Sequence, residues 1–199
     1  YRDVKGRLAR YGRSPDELKI MPGVFPIIGR TEKEAREKKQ YLEELVPLQV
    51  GIARLSIQLG VDLSGCDVDG PLPKLPPVDE INGNKSRFEL IRTLAERENL
   101  TIRQLIGRVI TGRGHREILG TPGQIADQLQ EWFENGACDG FNVMPPVFPE
   151  SLKEFVEEVI PILQDRGLFR KEYEGSTLRE HLGLKRPANQ FAKRAVAQS

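Results

Sequence analysis

A chain of 199 residues, 38% of them hydrophobic, is long enough to form one domain with a substantial core. Its 30 basic and 29 acidic residues give a formal net charge of +1, which argues against a nucleic-acid binder that relies on a basic surface and against a polybasic membrane anchor. No apolar run approaches the length of a transmembrane helix, and Cys66 and Cys138 are too few for a thiolate metal site. The two cysteines fit a reducing, cytoplasmic setting better than a disulfide framework.

The first part of the chain predicts a strand followed by two helices. Residues 18–29 are rich in strand formers, with a Pro-Gly bend midway. A capping box at Thr31 predicts a helix that runs to about residue 46. The apolar, weakly periodic residues 47–60 predict a second helix.

The middle of the chain predicts a long loop and two further helices. Residues 61–85 are rich in glycine, proline and aspartate and carry the clearest loop signal. Capping boxes predict helices that begin at Ser86 and Thr101. The glycine-rich residues 112–120 predict a flexible joint.

The most regular pattern in the sequence is a helix that leads into a short strand. Thr121 is the expected N-cap of this helix, and Gly136 is the expected stop. Residues 141–144 are too few and too closely followed by prolines for a helix, so they predict a buried strand. Trp132 and Phe133 share the helical spacing of the apolar face and are expected in the core.

A final helix and a polar tail complete the chain. The helix is expected to open at Ser151, to kink near Pro161 and to end at Gly167. The tail covers residues 168–199, and its last part, residues 186–199, is predicted to be disordered.

A helix followed by a strand is the repeating step of a parallel α/β protein, in which ligands bind at the carboxyl ends of the strands. Asn142 and the corner from Met144 to Pro146 end the second predicted strand, so they are expected near a ligand site. Two parallel strands cannot bury both of their faces alone. Their neighbours are therefore expected outside the given residues, and the chain is interpreted as the back part of a longer protein.

Five segments, in a fixed order along the chain, resemble the flavin-dependent monooxygenases of the bacterial-luciferase-like superfamily. The resemblance is to the branch that oxidises nitrilotriacetate, EDTA and dibenzothiophene sulfone. The segments are residues 18–23, 29–35, 113–116, 120–146 and 173–179. No segment is diagnostic by itself, but the ordered set spans nearly the whole chain.

This resemblance implies an α/β fold, namely the C-terminal portion of a (β/α)8 TIM barrel. It implies that residues 1–185 belong to the barrel and that a long, mostly helical insertion covers about residues 47–118. The predicted strands at 18–29 and 141–144 would then be the seventh and eighth strands.

The resemblance also implies a two-component monooxygenase reaction. In this family, reduced FMN supplied by a separate flavin reductase reacts with O2, and one oxygen atom is inserted into a small organic substrate. The implied partners are the reductase, the substrate, the missing N-terminal half of the barrel and further copies of the chain in a homo-oligomer, with neither nucleic acid nor a membrane among them. Most residues that grip FMN belong to earlier strands of the family, so the chain alone is expected to be inactive.

His115, in the segment 113–116, is the candidate catalytic residue. Histidine can transfer a proton near neutral pH, as flavin-dependent oxygenation requires, and the flanking arginines suit an anionic flavin or a polycarboxylate substrate. Arg113 and Asn142 are the candidate cofactor-binding residues. Two alternatives stay open, since His115 also fits an ordinary surface histidine and Asn142 fits a buried amide that satisfies backbone groups at a strand end.

A different interpretation of the sequence is a non-catalytic helical module that binds nucleic acid or protein. The helix openings at Thr101 and Thr121 resemble the starts of helix-turn-helix motifs, and nearby arginines offer phosphate contacts. The near-neutral total charge and the strand predicted after Gly136 argue against this interpretation.

Overall fold

The computed structural model describes residues 1–189 and 191 and shows a parallel sheet with helices around it. The strands are Gly23–Ile28 (β1), Arg116–Gly120 (β2) and Asn142–Val143 (β3). The α-helices are Arg2–Arg7 (α1), Glu32–Glu44 (α2), Leu48–Leu59 (α3), Lys85–Glu98 (α4), Ile102–Ile110 (α5), Pro122–Glu134 (α6), Glu150–Glu154 (α7), Ile160–Asp165 (α8) and Leu178–His181 (α9). A π-helical turn, Phe155–Val159, joins α7 to α8.

β1 lies in the centre of the sheet and is parallel to both of its neighbours, β2 and β3. The whole of β2 pairs with β1 from Val24 to Ile28, whereas β3 pairs only with Gly23 and Val24. The two strands predicted from the sequence thus pair directly, as neighbouring strands of a parallel barrel do. β1 is shorter than predicted and begins at Gly23, and the residues before it contact the segment before β3, where the N–H of Ile20 donates to the Asp139 carboxylate at 2.7 Å.

The chain covers β1 better than the sequence predicted. Val24 and Ile28 are buried with α6 and the π-helical turn, and Phe25 and Ile27 are buried on the opposite face. The expectation that the given residues cannot cover this strand is therefore wrong for β1. β3 remains at the edge of the sheet, with no strand on its outer side among the described residues.

β2 is the element that the sequence analysis missed. The prediction of a flexible joint is wrong for residues 116–120, because they pair along their whole length with β1. Ile118 is buried in the sheet core, and the two charged, half-buried residues before it, Arg116 and Glu117, conceal this apolar signal in the sequence.

Two helix starts also differ from the predictions. α4 begins at Lys85 rather than at Ser86, because Oδ1 of Asn84 accepts a hydrogen bond from the N–H of Arg87 and caps the helix. α7 begins at Glu150, and no side chain caps it where Ser151 was expected to do so.

The remaining capped helices begin where the sequence predicted, but the capping box predicted at Thr31 is incomplete, because the Glu34 carboxylate accepts hydrogen bonds from Arg30 instead of from the N–H of Thr31. Oγ1 of Thr31 accepts a hydrogen bond from the N–H of Glu34 at 3.1 Å. Thr101 and Thr121 each form the expected capping box with the glutamine three residues later. The break in the last long helix is a π-helical turn that ends just before Pro161.

The buried side chains form two hydrophobic clusters. One is helical, with Leu55, Phe88 and Ile102 of α3, α4 and α5 at its centre. The other joins β1 and β2 to α6, the π-helical turn and α8 around Ile125 and Val159. The sheet and the helical unit therefore have separate cores.

The exposure of two aromatic residues, the character of the helices and the C-terminal tail were also predicted from the sequence. Phe133 is 45% exposed rather than in the core, whereas Trp132 is half-buried and lies 4.1 Å from the guanidinium of Arg116. None of the described helices combines the length and apolar character needed to cross a membrane. The disorder predicted for residues 186–199 falls mainly on residues 190 and 192–199, outside the described part of the chain.

Candidate functional site

His115 lies at the amino end of β2, beside the amino end of β1. A Cβ built on Gly23 would lie 2.5 Å from Nδ1 of His115, so the imidazole rests directly against that glycine. The N–H of His115 donates to the carbonyl oxygen of Gly112 at 2.8 Å and closes a turn, while the side chain is exposed. Ligands of parallel α/β proteins usually bind at the opposite, carboxyl ends of the strands. His115 therefore lies at the end of the sheet opposite to the usual ligand-binding end.

Replacing Gly23 with alanine is expected to displace the imidazole of His115 without unfolding the protein, because the clash involves the end of one exposed side chain. The NMR chemical shifts of the His115 ring protons measure this displacement. Gly123→Ala is the matched control, since its Cβ would meet nothing within 4 Å. The control should leave His115 unchanged and stabilise α6 by up to about 1 kcal/mol. Unchanged His115 shifts in Gly23→Ala would contradict the contact.

The turn before β2 has an unusual backbone and contacts a distant arginine. Arg113 and Gly114 adopt left-handed φ values of 51° and 71°. A Cβ on Gly114 would lie 2.0 Å from a terminal nitrogen of Arg87, on α4. Glycine is therefore required at position 114 both for its φ and for the approach of the Arg87 guanidinium. The side chain of Arg113 is exposed.

Glu117, on β2, ties this turn to the sheet and to α2. Its carboxylate accepts hydrogen bonds from Nζ of Lys39 at 2.5 Å and from Oγ1 of Thr111 at 3.1 Å. Lys39 also pairs with Glu43 at 2.7 Å. Burial lowers the pKa of Lys39, but the hydrogen bonds and charges of Glu117 and Glu43 outweigh it, so the pKa is raised. The Lys39 ammonium therefore stays charged and is fully engaged by its two carboxylates.

A cavity of about 300 Å³ opens beside His115, between β2, α2, α4 and α5. Its apolar wall residues are Leu90, Leu94, Val109 and Leu119. Its charged and polar lining residues are Lys39, Arg108, His115 and Glu117. Such a mixture of apolar walls and a few polar groups is typical of small-molecule sites.

Asn142 lies on the other side of β1 from His115. Its side-chain Nδ2 donates to the carbonyl oxygen of Met21 at 2.9 Å, and its main-chain N–H donates to the carbonyl oxygen of Pro22 at 2.9 Å. The side chain thus satisfies a backbone group, as the alternative interpretation expected, but it is exposed rather than buried. Asn142 is the first residue of β3 and pairs with Gly23, so it lies at the amino ends of these strands rather than at the expected carboxyl end. Asn142 and His115 flank β1 on opposite sides. Their main chains are therefore separated by two inter-strand spacings, which is about 10 Å.

The carboxyl ends of β1 and β2 lead into α2 and α6. The hydroxyl oxygens of Thr31 and Thr121 cap first-turn N–H groups of these helices. A Cβ on Gly29 would lie 2.5 Å from the main-chain nitrogen of Ala35, so the chain is tightly folded there. Each hydroxyl thus engages one N–H group of the first turn, that of Glu34 or that of Gln124.

A buried ion pair fixes the start of the chain to the loop before β3. Nζ of Lys5 contacts Oδ1 of Asp139 at 2.9 Å, and the two side chains are only 8% and 14% exposed. The ammonium also donates to the carbonyl oxygens of Pro15 and Leu18 at 2.8 and 2.6 Å. With three acceptors, this lysine has a structural role.

A second, larger cavity of about 470 Å³ lies between β3, α6, α8 and the segment that contains α9. Its aromatic lining residues are Phe133, Phe141, Phe155, Phe169 and Tyr173. It explains why Phe133 is exposed although it has the spacing of a core residue. The cavity adjoins the free edge of β3.

Comparison with known proteins identifies relatives for almost the whole chain. No protein-family profile matches it. It is 52% identical to N-acetyl-S-(2-succino)cysteine monooxygenase of Bacillus subtilis and 55% identical to nitrilotriacetate monooxygenase component A of Aminobacter aminovorans, each over 97% of the chain. The chain belongs to the luciferase-like family of FMN-dependent monooxygenases. Its branch is the one with the nitrilotriacetate, EDTA and dibenzothiophene-sulfone enzymes.

Solved structures of this family show the same partial fold. EDTA monooxygenase from Chelativorans sp. BNC1 matches with a TM-score of 0.58 and 37% identity over 92% of the chain. A riboflavin lyase, solved with modified FMN and riboflavin, matches with a TM-score of 0.70 and 29% identity over 96% of the chain. The chain covers 42% and 41% of those structures, and 44% and 42% of the two relatives above. The fold is therefore α/β and part of a TIM barrel of this family.

His115 and Arg113 were predicted from the sequence, but the residues that surround them were not. Lys39 lies 78 positions before Glu117 along the chain, so no local pattern indicates their contact. Arg87 was assigned only to a helix. Recognising β2 as a strand would have placed Glu117 next to the buried Ile118, where a half-buried carboxylate requires a partner.

Proposed function

We propose that this chain forms the last strands of the barrel in a two-component, FMN-dependent monooxygenase. The complete enzyme would use O2 and reduced FMN from a separate flavin reductase to insert one oxygen atom into a small organic substrate. The observation that supports this proposal is the 52% and 55% identity to two monooxygenases over 97% of the chain. The helical binding module gains no support, because β2 separates the helices that open at Thr101 and Thr121.

The remainder of the barrel is the partner that the proposal requires. β3 pairs with β1 on one side only, and strands of parallel sheets are normally covered on both sides. Three aromatic side chains of the larger cavity, those of Phe133, Phe169 and Tyr173, lie exposed next to this edge. A protein with the length of the relatives would contain further strands and helices to cover these surfaces. The same remainder would supply most of the contacts to FMN, as the resemblance to the family implies.

The names of the relatives favour a substrate that carries carboxylates. Nitrilotriacetate and N-acetyl-S-(2-succino)cysteine each contain three carboxyl groups, and the enzymes that act on them are 55% and 52% identical to the chain. The long-chain alkane and dimethyl-sulfide monooxygenases, whose substrates are uncharged, are 32% and 29% identical. We therefore propose a small polycarboxylate as the substrate class.

A chimeric enzyme tests the proposed function. The chain would replace the matching segment of nitrilotriacetate monooxygenase component A, and FMN binding would be measured by flavin fluorescence quenching. We expect the chimera to bind FMN and to consume O2 with reduced FMN and a polycarboxylate, and we expect this chain alone to do neither. A chimera that folds but does not bind FMN would contradict the proposal, as would tight FMN binding by the chain alone.

The catalytic role of His115 stays a prediction, and kinetics of the chimera can test it. If His115 transfers a proton, His115→Gln is expected to lower kcat roughly 100-fold, since general acid–base groups typically contribute about 10²–10⁴. His181→Gln is the matched control, because the ring of His181 packs on Tyr173 in the other cavity. A raised KM with unchanged kcat would exclude proton transfer and leave His115 as a binding residue.

A further inference from the structure

We infer that the helical unit, residues 48–110 from α3 to α5, is a hinged body that swings on the joint of residues 112–115, and that the Glu117 carboxylate is a latch that holds it against the sheet. The sheet forms the other body, together with α2, which packs on it, and the helices after β2. This motion belongs to the chain itself. It requires neither the flavin nor the rest of the barrel, and it goes beyond the proposed function.

The two bodies have separate cores. The buried side chains of the helical unit form one hydrophobic cluster, with Leu55, Phe88 and Ile102 at its centre. Those of the sheet and its helices form the other cluster, around Ile125 and Val159. Each cluster takes all of its buried members from one body, so a rotation of one body on the other leaves both cores intact. Relative motion is the usual behaviour of bodies that are joined by a small, polar interface.

The space between the two bodies is incompletely packed. The cavity of about 300 Å³ lies there, with Leu90, Leu94 and Val109 of the helical unit on one side and Leu119 of β2 on the other. Protein interiors normally have few voids larger than a water molecule. Because atoms that face a void have few partners to lose, a change in the width of this space disrupts little packing.

The joint has a backbone that suits a hinge. Residues 112–115 connect the end of α5 to β2, and Arg113 and Gly114 adopt left-handed φ values of 51° and 71°. The N–H of His115 donates to the carbonyl oxygen of Gly112 at 2.8 Å and closes the turn. Hinges are a few loop residues that absorb a change in φ and ψ, and glycine adopts left-handed and right-handed values with similar ease. The other connection, residues 45–47 between α2 and α3, is also short.

The latch is a carboxylate that contacts both bodies. Glu117, on β2, accepts a hydrogen bond from Nζ of Lys39, on α2, at 2.5 Å and another from Oγ1 of Thr111, the C-cap of α5, at 3.1 Å. Glu43 of α2 also pairs with Lys39, and a Cβ built on Gly107 of α5 would lie 3.3 Å from its carboxyl carbon. The contacts that join α5 to the sheet and α2 at this point are therefore made by charged side chains, which hydrogen bonds direct and water can replace.

Gly112 makes room for this latch. A Cβ built on Gly112 would lie 2.7 Å from Oε1 of Glu117, and its φ is not left-handed. Glycine at this position therefore serves the close approach of the carboxylate rather than a special backbone conformation. A methyl group there would push the Glu117 carboxylate away from Thr111.

Two substitutions release the latch from opposite sides, Glu117→Ala and Gly112→Ala. Glu117→Ala leaves no buried polar group alone, because Lys39 keeps its ion pair with Glu43 and Thr111 keeps its hydrogen bond to the carbonyl oxygen of Gly107. Glu96→Ala is the matched control for the loss of a carboxylate. Its side chain is 71% exposed and pairs with Arg92 within α4, inside one body.

Förster resonance energy transfer between the two bodies tests the inference. Trp132, on α6, is the only tryptophan of the chain and serves as the donor. A dye on Cys66, which lies in the helical unit, is the acceptor, and Cys138 is only 2% exposed and should not react. We expect both latch variants to broaden the distribution of donor–acceptor distances in time-resolved measurements, with each unlabelled variant supplying the donor-only lifetime. The control should keep the distribution of the wild type.

Hydrogen exchange distinguishes swinging from unfolding. The amide of His115, whose hydrogen bond closes the joint, is expected to exchange roughly tenfold faster in both latch variants, as loss of a charge-assisted hydrogen bond predicts. The amides of Leu55 and Phe88, inside the helical core, should keep the rates of the wild type because a rigid body moves without opening.

Three outcomes would overturn the inference. They are an unchanged distance distribution in both latch variants, equal broadening in Glu96→Ala, and exchange at Leu55 and Phe88 that accelerates as much as that at His115. The last outcome would mean that the helical unit unfolds instead of swinging. If one latch variant fails to fold, the other decides, since both act on the same contact. The measurements contain no flavin, so their result is independent of the FMN experiment with the chimera.

Discussion

Asp139→Ala is expected to lower the free energy of unfolding by about 3–5 kcal/mol, the usual cost of removing one partner from a buried ion pair. The Lys5 side chain is only 8% exposed, so its ammonium would remain buried without a counter-charge. The variant would also leave the N–H of Ile20 without the carboxylate that accepts its hydrogen bond at 2.7 Å. Urea denaturation of the wild type and the variant measures the difference.

The exposed ion pair between Asp3 and Arg7 provides the matched control. Its side chains are 71% and 64% exposed, so Asp3→Ala is expected to cost less than about 1 kcal/mol. Replacing both Lys5 and Asp139 with apolar residues of similar size should recover only the part of the loss that comes from the unpaired charge, because the N–H of Ile20 and the carbonyl oxygens of Pro15 and Leu18 still lose their partners. A loss in Asp139→Ala no larger than that in Asp3→Ala would show that the pair is not buried as described.

The same pair predicts a pH dependence of stability. Burial raises the pKa of Asp139, but hydrogen bonds from the N–H of Ile20, from Lys5 and from Tyr1 outweigh it, so the pKa is lowered. A lowered pKa in the folded state means that the carboxylate stabilises the fold above its ordinary pKa, and that this contribution is lost as the pH falls through the lowered value. The stability difference between the wild type and Asp139→Ala should therefore shrink in acid.

Phe88→Ala is expected to destabilise the protein by about 3–5 kcal/mol, because Phe88 is 0% exposed at the centre of the helical cluster. The loss combines the transfer free energy of the ring with the cavity that it leaves between α3, α4 and α5. Guanidinium denaturation, followed by circular dichroism at a helix-sensitive wavelength, is the appropriate measurement.

Phe133→Ala is the matched control for this substitution, since the ring of Phe133 is 45% exposed on α6. Phe133→Ala is expected to lower the free energy of unfolding by about 0.5 kcal/mol, as other surface substitutions do. Equal losses in the two variants would contradict the separation into a buried helical core and an exposed cavity wall. The Phe133 variant also tests the larger cavity. If the rest of the barrel covers this ring, Phe133→Ala should lower the free energy of unfolding more in the chimera than in this chain alone.

Elements with local signals could be predicted from the amino-acid sequence. Thr31, Thr101 and Thr121 begin helices because a hydroxyl oxygen reaches an N–H group two or three residues later, a contact that needs no other part of the chain. The segments shared with the luciferase-like family are equally local, and they indicated the barrel family before any contact was known. His115 and Arg113 were found in the same way, through one such segment.

The tertiary structure alone decided β2, the burial of β1 and the surroundings of the candidate site. A parallel strand has no hydrogen bonds of its own, so residues 116–120 become a strand only because β1 lies beside them. The contacts of Lys5 with Asp139, and of Arg87 with the turn at Gly114, join residues from distant parts of the sequence. Such contacts depend on how separate elements pack, and this information is spread over the whole chain rather than present in any one segment of it.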